Sequence, residues 1–193
     1  MVAFILASAS PRRRELLGQL GLQFDLEAPD LDESVKAHER PAAYVERLAR
    51  EKASAVRRRR PAMVVLAADT SVVVDDEILG KPGTDTRTGA AMLRRLSGRT
   101  HQVMTGVAVA GDQVHSVVVS SDVVFRPLTE SEIAWYVETG EGSDKAGGYA
   151  SQARAGAFIR EIRGSSTSVI GLPLVEAVEL LRQAGVPMPW SPR

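Results

Sequence analysis

The chain contains no cysteine, which excludes disulfides, thiolate metal sites and cysteine nucleophiles, and fits a reducing compartment. Lysine is almost as scarce: of 24 basic residues, 20 are Arg and four are Lys (Lys36, Lys52, Lys81, Lys145). Arg therefore supplies the surface charge, and each Lys invites a search for a role that suits a compact ammonium. Net charge is also missing, since 24 acidic residues balance the 24 basic ones, so no global field favours nucleic acid or an anionic membrane. Long apolar runs are absent: six residues such as 63–68 cannot span a bilayer. The apolar start at residues 2–7 lacks a basic flank and passes directly into Ser8-Ala9-Ser10-Pro11-Arg12, so no targeting segment is read. The expectation is a soluble, cytoplasmic protein without a nucleic-acid or membrane partner.

What is present fits a globular fold. A length of 193 residues, 44% hydrophobic and 25% charged, predicts a single domain over residues 1–193 with a core large enough to hold a cleft. Residues 2–7 read as a buried strand, followed by Ser10 as N-cap and a helix from Pro11 to Gly21. Residues 23–27 read as a strand and Pro29-Asp30-Leu31-Asp32-Glu33 as an acidic turn. Val45, Leu48, Ala49 and Val56 make one apolar stripe of a helix from Pro41, closed by the Arg57–Arg60 run and Pro61. Residues 63–74 form a strand apolar on both faces, and a helix capped by Thr84 or Asp85 runs to Gly98. Residues 102–110 and 114–125 form a hairpin, Thr129 with Glu132 opens a capped helix, and residues 157–162 and 173–184 add a strand and a helix. Strands and helices interleave with one antiparallel pair, so the class is α/β with a mixed, twisted sheet flanked by helices.

Several segments carry possible chemistry. Ser8, Arg12 and Arg13 surround a helix start whose free N–H groups and guanidiniums suit a phosphate, or are an ordinary helix cap with solvated arginines. Lys52 projects into the middle of its apolar stripe, where it either snorkels or meets an anion. Asp69 follows six apolar residues, so it needs a cation, a cleft mouth or backbone donors. Lys81 is fixed in the turn Gly80-Lys81-Pro82-Gly83, as a phosphate contact or a plain polar turn. Glu33 with Asp69 would complete a divalent metal site, or it belongs to a solvated acidic loop. In residues 145–152, Lys145 offers charge and Gln152 the donor and acceptor that read a base edge, unless this is only a surface loop. The Walker spacing fails and Gly140 with Gly142 lacks a third glycine; His-Glu-x-x-His and Gly-x-Ser-x-Gly motifs are absent, and His38, His101 and His115 are dispersed. Three of four lysines, a strand carboxylate and an Arg-tipped helix start therefore point to a site for a polyanion with a divalent metal, most naturally a nucleoside triphosphate.

The motifs Ser8-Ala9-Ser10-Pro11-Arg12-Arg13, Leu31-Asp32-Glu33, Tyr44-Val45-x-x-Leu48-Ala49-x-x-Lys52-Ala53, Ala68-Asp69-Thr70, Lys81-Pro82, Ser97-Gly98-x-Thr100-His101-Gln102-Val103, Asp144-Lys145-Ala146-Gly147 and Gly171-Leu172-Pro173-Leu174 cover nearly the whole chain. In that order they closely resemble the Maf-type nucleotide pyrophosphatases, a family named for septum formation. The resemblance implies a two-lobed mixed α/β fold around a cleft, related to inosine triphosphate pyrophosphatases and often dimeric. It implies hydrolysis of a nucleoside triphosphate between the α- and β-phosphates, with Mg²⁺ or Mn²⁺, for sanitation of the nucleotide pool. By the same resemblance Asp69 is the proton acceptor, Glu33 helps hold the metal, and Arg13, Lys52 and Lys81 bind phosphates. Arg12, Thr70 and Gln152 match the specificity positions of the branch acting on dTTP and UTP. Two other readings are a 7-methyl-GTP pyrophosphatase and a regulatory binding protein of cell division.

Overall fold

The computed structural model describes residues 3–191. Among the described residues seven strands, β1 (Phe4–Leu6), β2 (Phe24–Leu26), β3 (Val65–Val74), β4 (Glu77–Leu79), β5 (Thr100–Ala110), β6 (Val114–Phe125) and β7 (Ile159–Arg163), hydrogen-bond in the order β2-β1-β3-β5-β6-β7, with β4 added on β3. The sheet is mixed and flanked by helices, an α/β architecture. The chain packs as two compact units: the first holds the chain up to Asp69, Thr105–Val119 and the chain from Gly171 on, and the second holds Thr70–Met104 and Ser120–Ile170.

In the first unit β1 (Phe4–Leu6) pairs in parallel with β2 (Phe24–Leu26) and with the start of β3 (Val65–Val74). Of the predicted first strand, Val2 lies outside the described residues. Helix α1 (Pro11–Gln19) begins with Pro11 in its first turn, as expected. The cap differs from expectation: Ser10 holds the cap position but its side chain caps nothing, and Ser8 Oγ instead accepts the Ser10 N–H at 3.1 Å. The acidic turn at 29–33 belongs to neither helix nor strand. Helix α2 (Pro41–Arg59) buries Val45, Leu48, Ala49, Lys52, Ala53 and Val56. It lies hard against β5 (Thr100–Ala110), because a Cβ at Gly106 would fall 2.3 Å from the Val45 carbonyl oxygen. Only glycine there lets the helix carrying Lys52 sit so close. The basic end of α2 is tied down within the chain: Arg57 donates to the Met63 and Gly111 carbonyls, and Arg59 and Arg60 both reach Glu27, at 2.7 and 2.9 Å. Helix α6 (Leu174–Gln183) completes this unit's helices.

The second unit continues β3 into a hairpin with β4 (Glu77–Leu79), through a pairing of Val74 with Glu77. Asp75 and Asp76 both have positive φ (54° and 59°), the pattern of a two-residue I′ turn that short polar residues tolerate. Asp85 caps α3 (Thr86–Leu96) by accepting the Arg87 N–H. Thr129 and Glu132 form the predicted capping box of α4 (Glu130–Glu138). Strand β6 (Val114–Phe125) pairs antiparallel with β7 (Ile159–Arg163). β7 starts two residues later than the sequence suggested, because residues 154–158 wind into a 3₁₀ turn that buries Ala155 and Phe158. A five-residue helix α5 (Ser166–Ile170) closes the unit.

The few aromatics are concentrated here, where Phe125, Trp135, Tyr136, Tyr149 and Phe158 pack edge to face. His101 joins them, 2% exposed, with Nε2 2.7 Å from the Tyr149 hydroxyl and Nδ1 buried without a partner among the described residues. Burial pushes its pKa down from 6.5 to about 4. Between those values the unfolded chain binds a proton that the folded chain refuses, so stability falls as pH drops from 6.5 and the loss is complete below about pH 4. Wild type is therefore expected to lose about 2 kcal/mol more than His101→Gln between pH 7 and pH 5, read by urea unfolding. Parallel profiles would exclude His101 as the source.

Candidate active site

The first unit builds a compact charged cluster at the end of its run of β3. Leu66, Ala67 and Ala68 are fully buried and Asp69 is 8% exposed. Its carboxylate is answered from α2, where Lys52 Nζ donates to Asp69 Oδ1 at 2.7 Å. The same ammonium lies 2.7 Å from Glu33 Oε1, on the loop after β2. Lys52 thus meets two anions, which explains how a Lys stands in the middle of an apolar stripe. Glu33 is the outer partner, its side chain about half exposed.

Arg13 on α1 adds a second cation. Its Nε donates to the Gly171 carbonyl at 2.7 Å and its Nη1 to Ser8 Oγ at 3.3 Å. Burial lowers its pKa, against the opposing pull of Asp69 and Glu33. Tyr44, on the first turn of α2, donates its hydroxyl to the Glu33 carbonyl at 2.9 Å. Its pKa rises to about 12, through burial first and then the negative charges of Asp69 and Glu33, so it remains a neutral donor at any working pH. Ser8, Arg13, Glu33, Lys52 and Asp69 are thus assembled by three elements and two loops of a single unit. Arg12 is half-buried beside Arg13, whose charge it opposes.

The other sequence-predicted residues belong to the second unit. Thr70 follows Asp69 directly in β3. Lys81 is exposed on its turn, Lys145 pairs with Asp144, and Gln152 is exposed. The turn and the glycine-rich segment are one piece: Gly83 N–H donates to the Ser143 carbonyl and Gly147 N–H to the Gly80 carbonyl, each at 3.0 Å. Gly147, at φ 69°, presses on Val72 so closely that a Cβ would lie 2.8 Å from a Val72 methyl. Farther along, Tyr136 Oη accepts the Ala150 N–H at 3.0 Å. Residues 145–150 are therefore a braced segment and not a loose surface loop.

Among the described residues, no group of three or more His, Cys, Asp or Glu forms a ready metal cage. Glu33 and Asp69 nevertheless converge on one cation position, the Lys52 ammonium, at 2.7 Å each. An all-oxygen pair of this kind fits a hard dication that completes its shell with phosphate oxygens and water.

A family model described as Maf-like protein matches residues 3–184. The chain belongs to the Maf-like family. Among curated relatives, this Maf-like chain is 53% identical over 186 residues to the dTTP/UTP pyrophosphatase of Myxococcus xanthus (strain DK1622), covering 96% of this chain and 94% of the relative. It is 51% identical over 189 residues to the dTTP/UTP pyrophosphatase of Symbiobacterium thermophilum (strain DSM 24528 / JCM 14929 / IAM 14863 / T), covering 97% of each. Among solved structures, a nucleoside-triphosphatase / dITP/XTP pyrophosphatase from Mycobacterium abscessus is similar with a TM-score of 0.43 and 16% identity, over 63% of this chain and 73% of that one. No helix among the described residues of the Maf-like chain is long and apolar enough to cross a membrane.

Two residues that hold the main chain beside Glu33, and are not themselves part of the charged cluster, escaped the sequence reading of roles. Tyr44 stood inside a quoted motif without an assigned task, and Arg47 filled one of its variable places. The available signal was α2 itself, since both lie within two and a half turns of Lys52.

Proposed function

We propose that this chain is a nucleoside triphosphate pyrophosphatase that hydrolyses dTTP and UTP to the monophosphate and pyrophosphate. The observation that carries the reading is the Lys52 ammonium held between Asp69 and Glu33, in a chain about half identical to relatives named dTTP/UTP pyrophosphatase. Asp69 orients a water and takes its proton as the water oxygen bonds to the α-phosphorus. The bond from that phosphorus to the bridging oxygen breaks, and pyrophosphate leaves with the electron pair. Lys52, Lys81 and Arg13 bind the phosphate oxygens and offset the charge spread over them in the transition state. Ser8 and the α1 start add short polar contacts to the phosphates. Arg12, Thr70, Lys145 and Gln152 bind the nucleotide, with Gln152 offering the amide that pairs with a pyrimidine edge. Glu33 and Asp69 would hold Mg²⁺ or Mn²⁺, which supplies neutralising charge at the phosphates when bound.

In this reading the chain is one Maf-like domain acting in the cytoplasm on a small-molecule substrate, with no nucleic-acid or membrane partner. Its activity removes unwanted or modified pyrimidine nucleotides from the pool. A panel of triphosphates scored for pyrophosphate release tests it: dTTP and UTP are expected to exceed ATP, GTP and 7-methyl-GTP by about tenfold or more in kcat/KM, the scale one well-placed polar contact supplies. Preference for 7-methyl-GTP, or no release from any triphosphate, would overturn the assignment.

A further inference from the structure

The Glu33 carboxylate stands on a stretch with no regular structure. Residues 31–36 form neither helix nor strand, so a carboxylate there has many places to be unless something fixes the main chain. The fixing comes from α2. Tyr44 Oη donates to the carbonyl oxygen of Glu33 at 2.9 Å, and Arg47 Nη2 donates to the carbonyl oxygen of Ser34 at 3.0 Å. Two successive carbonyls are thus held by two side chains one helical turn apart.

Arg47 is itself immobilised. Its fork grips Glu39, with Nε to Oε1 at 2.6 Å and Nη2 to Oε2 at 2.8 Å, while Nη1 reaches Glu51 Oε2 at 3.0 Å. The guanidinium also lies 5.6 Å from the centre of the Tyr44 ring. Its side chain is 16% exposed and that of Glu39 is 9% exposed, so this is a packed, bidentate pair and not a solvated surface bridge. Glu39 additionally accepts the Lys36 N–H, and the Asp32 carboxylate accepts both the N–H and the hydroxyl of Ser34. The stretch 32–39 is thereby fastened to α2 at both ends, and α2 is the helix that presents Lys52.

We infer that Tyr44 and Arg47 are positioning residues which clamp the Glu33–Ser34 main chain to α2, so that Glu33 and Asp69 form a divalent-cation site before substrate arrives. Neither side chain touches substrate. Both act through Glu33, and the inference rests on the proposed role of Glu33 as a metal ligand. A preset ligand pair binds a cation without first ordering a loop, so loosening the clamp weakens metal binding while leaving the chemistry of the loaded enzyme alone.

Mn²⁺ binding to the full, nucleotide-free chain, read from the free-ion signal in electron paramagnetic resonance, tests this on Tyr44→Phe, Arg47→Lys, Glu33→Gln and the two double variants. Arg47→Lys keeps the charge but loses the fork, and is expected to weaken Mn²⁺ binding about tenfold. Tyr44→Phe removes one hydroxyl, keeps the fold in any case, and is expected to weaken it several-fold. Both should retain wild-type kcat at saturating Mn²⁺ and show faster amide exchange at residues 33–36. In the Glu33→Gln background neither change should weaken binding further. Wild-type Mn²⁺ affinity in both clamp variants, with binding lost in Glu33→Gln, would overturn the clamp and leave the metal reading standing. Additive losses in the double variants would also overturn it. Wild-type affinity in Glu33→Gln itself would instead refute the metal reading, and the inference would fall with it.

Discussion

Asp69→Asn is expected to lower kcat about a thousandfold while leaving the folded structure in place. The carboxylate is nearly buried and bonds Lys52 through one oxygen. An asparagine has the same shape, and its amide oxygen still accepts from the ammonium. Lys52 also keeps Glu33 at 2.7 Å, so no bare charge is left in the interior and the melting temperature should move by only a few degrees. What disappears is the ability to take a proton from water. Measured at saturating Mn²⁺, which offsets the loss of a charged ligand at the proposed cation position, the deficit should remain in kcat, because proton acceptance matters only as the water attacks. Pre-steady-state and steady-state pyrophosphate release, together with circular dichroism, give the answer. A variant turning over at a tenth of the wild-type rate or better would remove Asp69 as the proton acceptor.

Lys52 and Asp69 were legible for a simple reason. Helical periodicity put an ammonium among Val45, Leu48 and Ala49, and an apolar strand delivered a carboxylate; each residue alone announced an unmet need. Both were expected in one charged site, and they do meet; the directness of their pairing was not legible, since it depends on how far α2 descends onto β5, which Gly106 decides. Glu33 was legible as a candidate metal ligand but not separable from a solvated carboxylate without the family motif, because an acidic residue in a polar loop resembles any other. Arg47 was invisible for a related reason: it acts on a main-chain carbonyl, and main chain carries no sequence signature. The fold was read best where chemistry is local, as at the capping box of Thr129 and Glu132. It was missed where two aspartates take positive φ at 75 and 76 to turn a hairpin, a role that Asn-Gly would have advertised.

Lys52→Met carries the second large expectation, and it connects stability to the metal. Methionine fits the apolar stripe of α2 and keeps the length of the stem, but it leaves Asp69 and Glu33 facing each other without their cation. Removing one member of a buried ion pair costs about 3–5 kcal/mol, and the half-exposed Glu33 places the loss here near the lower end, about 3 kcal/mol in the presence of a chelator. Two carboxylates that held an ammonium are a better dication site once it is gone, because the competing charge has been removed. Mn²⁺ should therefore raise the melting temperature of Lys52→Met by more than it raises that of wild type, with about 2.7 kcal/mol regained when the free ion reaches a hundred times its dissociation constant. Turnover should stay low even then, by about a hundredfold, since the dication restores the fold but not the fixed ammonium that binds phosphate. Thermal unfolding in EDTA and across a Mn²⁺ titration, followed by a triphosphate assay at the plateau, separates these effects. If the variant is as stable as wild type in EDTA, or if Mn²⁺ leaves it unmoved, the carboxylates do not share one cation position and the site would have to be rebuilt around Asp69 alone.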